Sequence, residues 1–345
     1  MPAESRPPRA LILGCAGERL TEAEARFFAA ADPAGFILFR RNCRDRAQVR
    51  ALVGDLRGAV GRPAAPVLID QEGGRVARLA PPEWRAYPAP AALARLADPL
   101  AEEAVRLGAR LIADDLAELG ITLDAAPVLD LPQQGADPVI GDRAYGSDPA
   151  RAAALGRACC DGLLAGGVLP ILKHIPGHGR ARVDSHHACP RVAAEHALLS
   201  RIDFAPFRAL AAMPWAMTAH IVYAGIDDSA PATFSGKVID TIIRKEIGFG
   251  GVLISDDIAM GALAGTLAER TRHAIDAGCD LVLHCTGVLA EMVEIVEAAA
   301  PLSPAAADRL ARGEAMRQRA GRPFDARAGA ARFGELLSGC NGARA

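Results

Sequence analysis

The sequence predicts a (β/α)8 barrel built as one domain, and three observations predict it. Short apolar, β-like runs recur eight times, with helix-like segments between most of them. Ionisable residues stand directly after five of those runs, as they do at the C-terminal mouth of a barrel. The 345 residues are 51% hydrophobic, enough for one large α/β core, and no long polar linker divides them.

The eight runs are Ala10–Cys15, Gly35–Phe39, Pro66–Ile69, Thr122–Ala126, Val168–Leu172, Ala216–Ala219, Gly251–Ser255 and Asp280–Leu283. Between them, Thr21–Ala31 opens with a capping residue and carries a glutamate three positions on, the signature of a capping box. Gln48–Val60, Leu100–Leu119 and Arg151–Leu164 space their apolar residues as helices do. A short N-terminal extension precedes the first run. The Ala/Arg/Gly-rich end, from about Gly321, is expected to be a helix with a frayed tail. The whole chain, residues 1–345, reads as a single catalytic domain.

Composition excludes several classes. The formal charge is -2 with no long run of like sign, so neither nucleic acid nor a membrane surface has electrostatic support as a partner. No apolar stretch reaches the length of a membrane span. The N-terminal residues lack the apolar core of a signal peptide. Eight scattered cysteines without a Cys-x-x-Cys pair suit a reduced, cytoplasmic protein with buried thiols.

The stretch Lys173-His174-Ile175-Pro176-Gly177-His178-Gly179, continued by Asp184-Ser185-His186-His187, holds four of the eight histidines, a lysine and an aspartate. Pro176, Gly177 and Gly179 break regular structure, so these side chains are expected on a loop delivered by the fifth run. Asp70 follows the third run, His220 the sixth, Asp256-Asp257 the seventh and His284 the eighth. Asp256 leaves a buried strand aimed at the mouth, which suits a nucleophile or an electrostatic stabiliser. Asp257 suits a cap on the following segment. Asp184 lies two residues from His186, close enough to orient its ring for proton transfer, with His187 as the competing imidazole. Asp70, Arg78, Arg143, Lys173 and His174 add directed donors and acceptors fitted to a small, hydroxylated ligand.

At these residues the chain resembles the bacterial β-N-acetylhexosaminidase branch of glycoside hydrolase family 3. The similarity runs through Gly35-Phe36-Ile37-Leu38-Phe39-Arg40-Arg41-Asn42, Asp70-Gln71-Glu72-Gly73-Gly74-Arg75-Val76-x-Arg78, Asp142-Arg143-Ala144-Tyr145-Gly146, the histidine-rich stretch, and Ser255-Asp256-Asp257-Ile258-x-Met260. The resemblance implies a retaining exo-glycosidase without cofactor or metal. Asp256 would be its nucleophile and His186, assisted by Asp184, its acid/base. Asp70, Arg78, Arg143, Lys173 and His174 would hold the N-acetylglucosamine ring. It further implies a small-molecule carbohydrate substrate in the cytoplasm. That substrate would be a peptidoglycan fragment such as an N-acetylglucosaminyl-1,6-anhydro-muropeptide, cut during cell-wall recycling. Two departures stand out. His187 occupies a place where the family commonly has lysine, and the chain ends soon after the barrel, without the sandwich-like second domain of larger members.

Two rival readings follow from the same residues. His174, His178, Asp184, His186, His187, His220 and His284 form a ligand set for a metal-dependent barrel hydrolase. Against it stand the lack of a His-x-His pair after the first run and of a two-histidine helical motif. A catalytically silent sugar-binding barrel would keep Asp70 and Arg78 but need neither Asp256 nor His186.

Overall fold

A computed structural model describes residues 7–342. Residues 1–6 of the expected N-terminal extension and residues 343–345 of the tail lie outside the described residues. Eight parallel strands close into a barrel: β1 (Arg9–Gly14), β2 (Pro33–Leu38), β3 (Val67–Ile69), β4 (Leu123–Asp124), β5 (Leu169–Ile175), β6 (Trp215–Thr218), β7 (Val252–Asp257) and β8 (Leu281–His284). Each pairs with its neighbours in sequence, and β8 closes on β1. The predicted (β/α)8 barrel is therefore present, with every strand on a run that the sequence marks.

Alternation along the strands builds two apolar layers. Ile12, Ile37, Leu68, Leu123, Ile171, Trp215, Ile254 and Leu283 fill the barrel interior. Leu11, Leu13, Phe36, Leu38, Ile69, Leu172, Leu253 and Val282 face the helical shell. The helices include α1 (Glu22–Ala31), α2 (Arg46–Ala59), α3 (Leu100–Glu118), α4 (Pro149–Ala165), α5 (Leu267–Ala277) and α6 (Leu289–Ala298). Thr21 and Glu24 make the capping box at the head of α1, each side chain accepting the other's backbone N–H. After β6 the connection is a helix of the wide, i→i+5 type, Val238–Glu246. Two further helices, α7 (Pro304–Ala320) and α8 (Ala326–Gly342), follow α6. Phe333 and Leu336 bury α8 against the shell, so the expected C-terminal helix is present from Ala326.

The sequence reading errs in two places. β4 is only two residues long. β5 runs on to Ile175, so Lys173 and His174 belong to a buried strand and not to the loop. The proline and glycines that signal a break act only after Ile175. The register of β5 against β6 shifts between Lys173 and Ile175. That irregularity lets the consecutive side chains of Lys173 and His174 both face the mouth, where strict alternation would separate them. Among the described residues, no helix is long and apolar enough to cross a membrane.

Candidate active site

A cavity of about 600 Å³ opens at the C-terminal ends of the strands. Asp70, Arg78, Arg143, Lys173, His174, Asp184, His186 and Asp256 all line it. Its floor is built from β3. Asp70 directly follows that strand and accepts hydrogen bonds from Lys173 Nζ at 2.7 Å and Arg78 Nη2 at 2.9 Å. A two-strand hairpin, Gln71–Gly73 with Val76–Ala77, brings Arg78 back to Asp70. The buried Gln71 amide fastens this hairpin, its Oε1 accepting from the N–H groups of Arg78 and Leu79 and its Nε2 donating to the Leu79 carbonyl. Glu72, from the same hairpin, receives Lys173 Nζ at 2.6 Å and a two-pronged bond from Arg143 at 2.8 and 2.9 Å. The result is an alternating series Arg78–Asp70–Lys173–Glu72–Arg143.

Burial alone would push the Asp70 carboxyl up, but Lys173 and Arg78 outweigh it and hold Asp70 well below the usual carboxylate range. Burial likewise disfavours the Lys173 ammonium, yet Asp70 and Glu72 raise its pKa above the ordinary value. Lys173 engages two carboxylates and so keeps one N–H for a ligand. Arg143 has a further role beside the expected one. It lines the cavity, but its Nε and Nη2 are committed to Glu72, so it supports the floor more than it reaches for a ligand. The Arg78 guanidinium lies 5.0 Å from the centre of the Phe39 ring, which fixes its plane.

β7 delivers Asp256, whose Oδ1 accepts the Asp257 N–H at 2.8 Å and whose Oδ2 lies 3.9 Å from His174 Nε2. Burial pushes this carboxyl up, but His174, His220 and the Asp257 N–H outweigh it, so Asp256 sits below its ordinary value and is ionised at neutral pH. Asp257 instead accepts the N–H groups of Ala259 and Cys285. Burial, with Asp256 beside it, raises Asp257 to about 6. The two adjacent aspartates thus divide: Asp256 keeps Oδ2 toward the cavity and is charged, whereas Asp257 accepts two backbone N–H groups and has its pKa raised.

Asp184 Oδ1 accepts both the His186 backbone N–H at 2.9 Å and His186 Nδ1 at 2.7 Å, leaving Nε2 of the imidazole as the outward nitrogen. Hydrogen bonds from His186 overcome burial and keep the Asp184 carboxyl below its ordinary value. His187 contributes only its backbone N–H, to the Asp184 carbonyl, so the structure pairs Asp184 with His186 of the two candidates.

His220, just past β6, and His284, the last residue of β8, do not line the cavity. His220 bonds Thr233 and the Asp257 carbonyl, and His284 bonds Glu291. Among the described residues, no three His, Cys, Asp or Glu side chains gather as a metal site. Sequence reasoning passed over Asp130. It is fully buried, accepts His174 Nδ1 at 2.6 Å and also receives the backbone N–H groups of His174 and His178. Its only sequence signal is a single acid inside the apolar run Ala125-Ala126-Pro127-Val128-Leu129-Asp130-Leu131.

A barrel mouth holding an ionised carboxylate, a carboxylate–imidazole pair and a floor of directed polar groups has the chemical groups that a glycoside hydrolase uses. Residues 11–312 match the glycosyl hydrolase family 3 N terminal domain, and the chain belongs to that family. A β-hexosaminidase of Alkalilimnicola ehrlichii is 41% identical over 282 residues, with 80% of each chain covered. A β-hexosaminidase of Neisseria meningitidis serogroup C is 40% identical over 289 residues, covering 81% of this chain and 78% of its own. Among solved structures, NagZ from Neisseria gonorrhoeae in complex with N-trifluoroacetyl-D-glucosamine superposes with a TM-score of 0.85. It shares 33% identity and covers 96% of this chain and 99% of its own.

Proposed function

We propose that this chain is a retaining exo-β-N-acetylglucosaminidase that removes a terminal, non-reducing N-acetylglucosamine from soluble peptidoglycan fragments in the cytoplasm. Its membership of the β-N-acetylhexosaminidase class rests on the family and on relatives of that name. The finer reading rests on one observation above all: an ionised Asp256 on a rigid strand shares its cavity with the His186–Asp184 pair on a loop.

In this reading Asp256 attacks the anomeric carbon and displaces the leaving sugar, forming a glycosyl-enzyme. His186, held by Asp184, protonates the departing oxygen and then takes a proton from the water that releases the sugar. An imidazole replaces the second carboxylate of most retaining glycosidases. Asp70, Arg78, Lys173 and His174 hold the ring hydroxyls through fixed donors and acceptors, and such a site rejects analogues that lack those hydroxyls. The cell-wall substrate follows from the resemblance to the bacterial branch of the family. Every step uses carboxylate and imidazole chemistry.

Hydrolysis of a chromogenic β-N-acetylglucosaminide, measured beside the β-glucoside and with and without chelator, tests the proposal. Preference for the acetamido sugar and full activity in chelator are expected. Loss in chelator with rescue by zinc would favour the metal-hydrolase reading. Internal cleavage of long chitin chains would remove the exo-acting, single-sugar assignment.

A further inference from the structure

The chemistry is divided between two supports. Asp256 rides on the rigid strand β7, whereas His186 rides on a segment outside regular strand or helix, between Gly179 and the short strand Arg191–Val192. His186 can act only if this segment is held at a fixed height above Asp256, since a misplacement of about 1 Å can cost a hundredfold in rate. Ala181 anchors the start of the segment in the core, but Val183 is exposed, and the His186 side chain is 59% exposed. Arg180 bonds Asp203, and the Ala181 carbonyl accepts the Asp137 N–H; around His186 itself, two sets of polar contacts reach Ser185 and His186 from outside the segment.

The first begins in the barrel. Asp130 Oδ1 accepts the His178 backbone N–H at 2.6 Å, and His178 Nε2 lies 3.1 Å from Ser185 Oγ. Ser185 is buried and stands between Asp184 and His186. Burial, with His174 adding to it, lowers the His178 pKa to about 4, so its ring is neutral. His178 Nδ1 is buried and without a partner. The tautomer that leaves Nδ1 a bare acceptor places the proton on Nε2, which then donates to Ser185. Gly179 permits the close approach behind this contact, because a Cβ there would come 2.0 Å from the Leu131 carbonyl oxygen. The second set comes from the turn after β7. The N–H groups of Gly261 and Ala262 donate to the carbonyls of His186 and Ser185, each at 3.1 Å. A Cβ on Gly261 would come 2.8 Å from the His186 carbonyl oxygen and 3.0 Å from that of His187.

We infer that Asp130, His178, Ser185 and Gly261 are positioning residues that seat the His186 segment over Asp256, clamping it from the β4–β5 side and from the β7 side at once. Asp130 serves both halves of the site, because it also orients His174, the imidazole nearest the nucleophile. The inference rests on His186 being the acid/base.

The test is a leaving-group series of β-N-acetylglucosaminides, from dinitrophenyl to alkyl, measured as kcat/KM for wild type, Ser185→Ala, Gly261→Ala and His186→Ala. Ser185→Ala removes one clamp with a minimal change in volume, and Gly261→Ala obstructs the other. Both should lose about tenfold or more on alkyl leaving groups, while losing roughly threefold or less on dinitrophenyl, which needs little protonation. Azide should restore turnover of the dinitrophenyl substrate in both. It attacks the anomeric carbon of the glycosyl-enzyme without a general base, breaks the bond to Asp256 and gives the β-glycosyl azide. Equal loss across the series, or no loss, in Ser185→Ala and Gly261→Ala while His186→Ala is selective would overturn the seating role and leave the acid/base assignment standing. A flat series for His186→Ala would overturn both.

Discussion

Asp124, at the end of β4, lies within the barrel beneath the binding floor and is fully buried. Its Oδ1 accepts the Gln71 N–H at 2.8 Å, and its Oδ2 has no partner. Burial, reinforced by Asp70 and Glu72 and opposed by the Gln71 N–H and Lys173, raises its pKa from 3.8 to about 7. Asp124 therefore keeps its proton in the folded protein at pH values where the unfolded chain has lost it. The folded state binds more protons, so stability falls as pH rises from about 4 to about 7 and levels off above. The interval between 3.8 and about 7 corresponds to ~4 kcal/mol at 1.36 kcal/mol per pH unit. Asp124→Asn mimics the neutral carboxyl, and an adjoining cavity of about 30 Å³ gives the amide room for a water partner. With an unfolding entropy of about 2.1 cal/mol/K per residue, 345 residues give roughly 0.7 kcal/mol/K, so ~4 kcal/mol corresponds to ~6 °C. Thermal melts of both proteins from pH 4 to 8.5 should give curves that meet near pH 4 and separate progressively, the variant melting ~6 °C higher at pH 8. Taking the difference removes every titration the two proteins share. Two parallel curves with a constant offset would show that Asp124 is ionised in the folded protein throughout, and would refute the reasoning.

Other expectations follow from the cavity itself. Asp256→Ala should lose several orders of magnitude in kcat with the melting temperature nearly unchanged, and an activated fluorosugar should label Asp256 in the wild type; labelling of Asp257 would reverse their roles. His186→Ala should slow alkyl glycosides by about 10² to 10⁴ and dinitrophenyl glycosides far less at the first step; the same pattern in His187→Ala, and not in His186→Ala, would transfer the role. Asp70→Ala should weaken substrate and N-acetylglucosamine product together, by ~1.5–3 kcal/mol for the lost charge-assisted bond, read by titration calorimetry. Glu72→Ala leaves Lys173 and Arg143 partly uncompensated and should destabilise the fold by ~3–5 kcal/mol in denaturant melts.

The apolar runs were legible because a barrel strand buried on both faces must be apolar along its whole length, and all eight produced strands. Barrel geometry carries strand ends to one mouth, and Asp70, Lys173, His174 and Asp256 do line the cavity there, but His220 and His284, marked by the same rule, do not. The ends of β4 and β5 were not, because their limits depend on pairing with neighbours distant in sequence. Which carboxylates support and which reach out was likewise hidden. Glu72 and Asp70 look alike in the sequence, and only the 71-residue reach to Arg143 separates them. Asp130 finds His174 44 residues away, a contact that no local pattern announces.

The alternating series Arg78–Asp70–Lys173–Glu72–Arg143 has a bearing on how the site meets its ligand. Each ion already faces its opposite, so the desolvation of these charges is met when the protein folds and not when a sugar arrives. With the charged Asp256 beside it, three cations stand against three carboxylates, so the floor behaves toward an uncharged ring as an array of fixed dipoles and casts little net field beyond the mouth. Ionic strength, which screens steering between a charged site and a charged ligand within about 10 Å at 0.1 M salt, has little to act on here. Affinity for a neutral terminal sugar should stay level as salt rises, and any salt dependence that a natural substrate shows would trace to its charged leaving portion outside the floor.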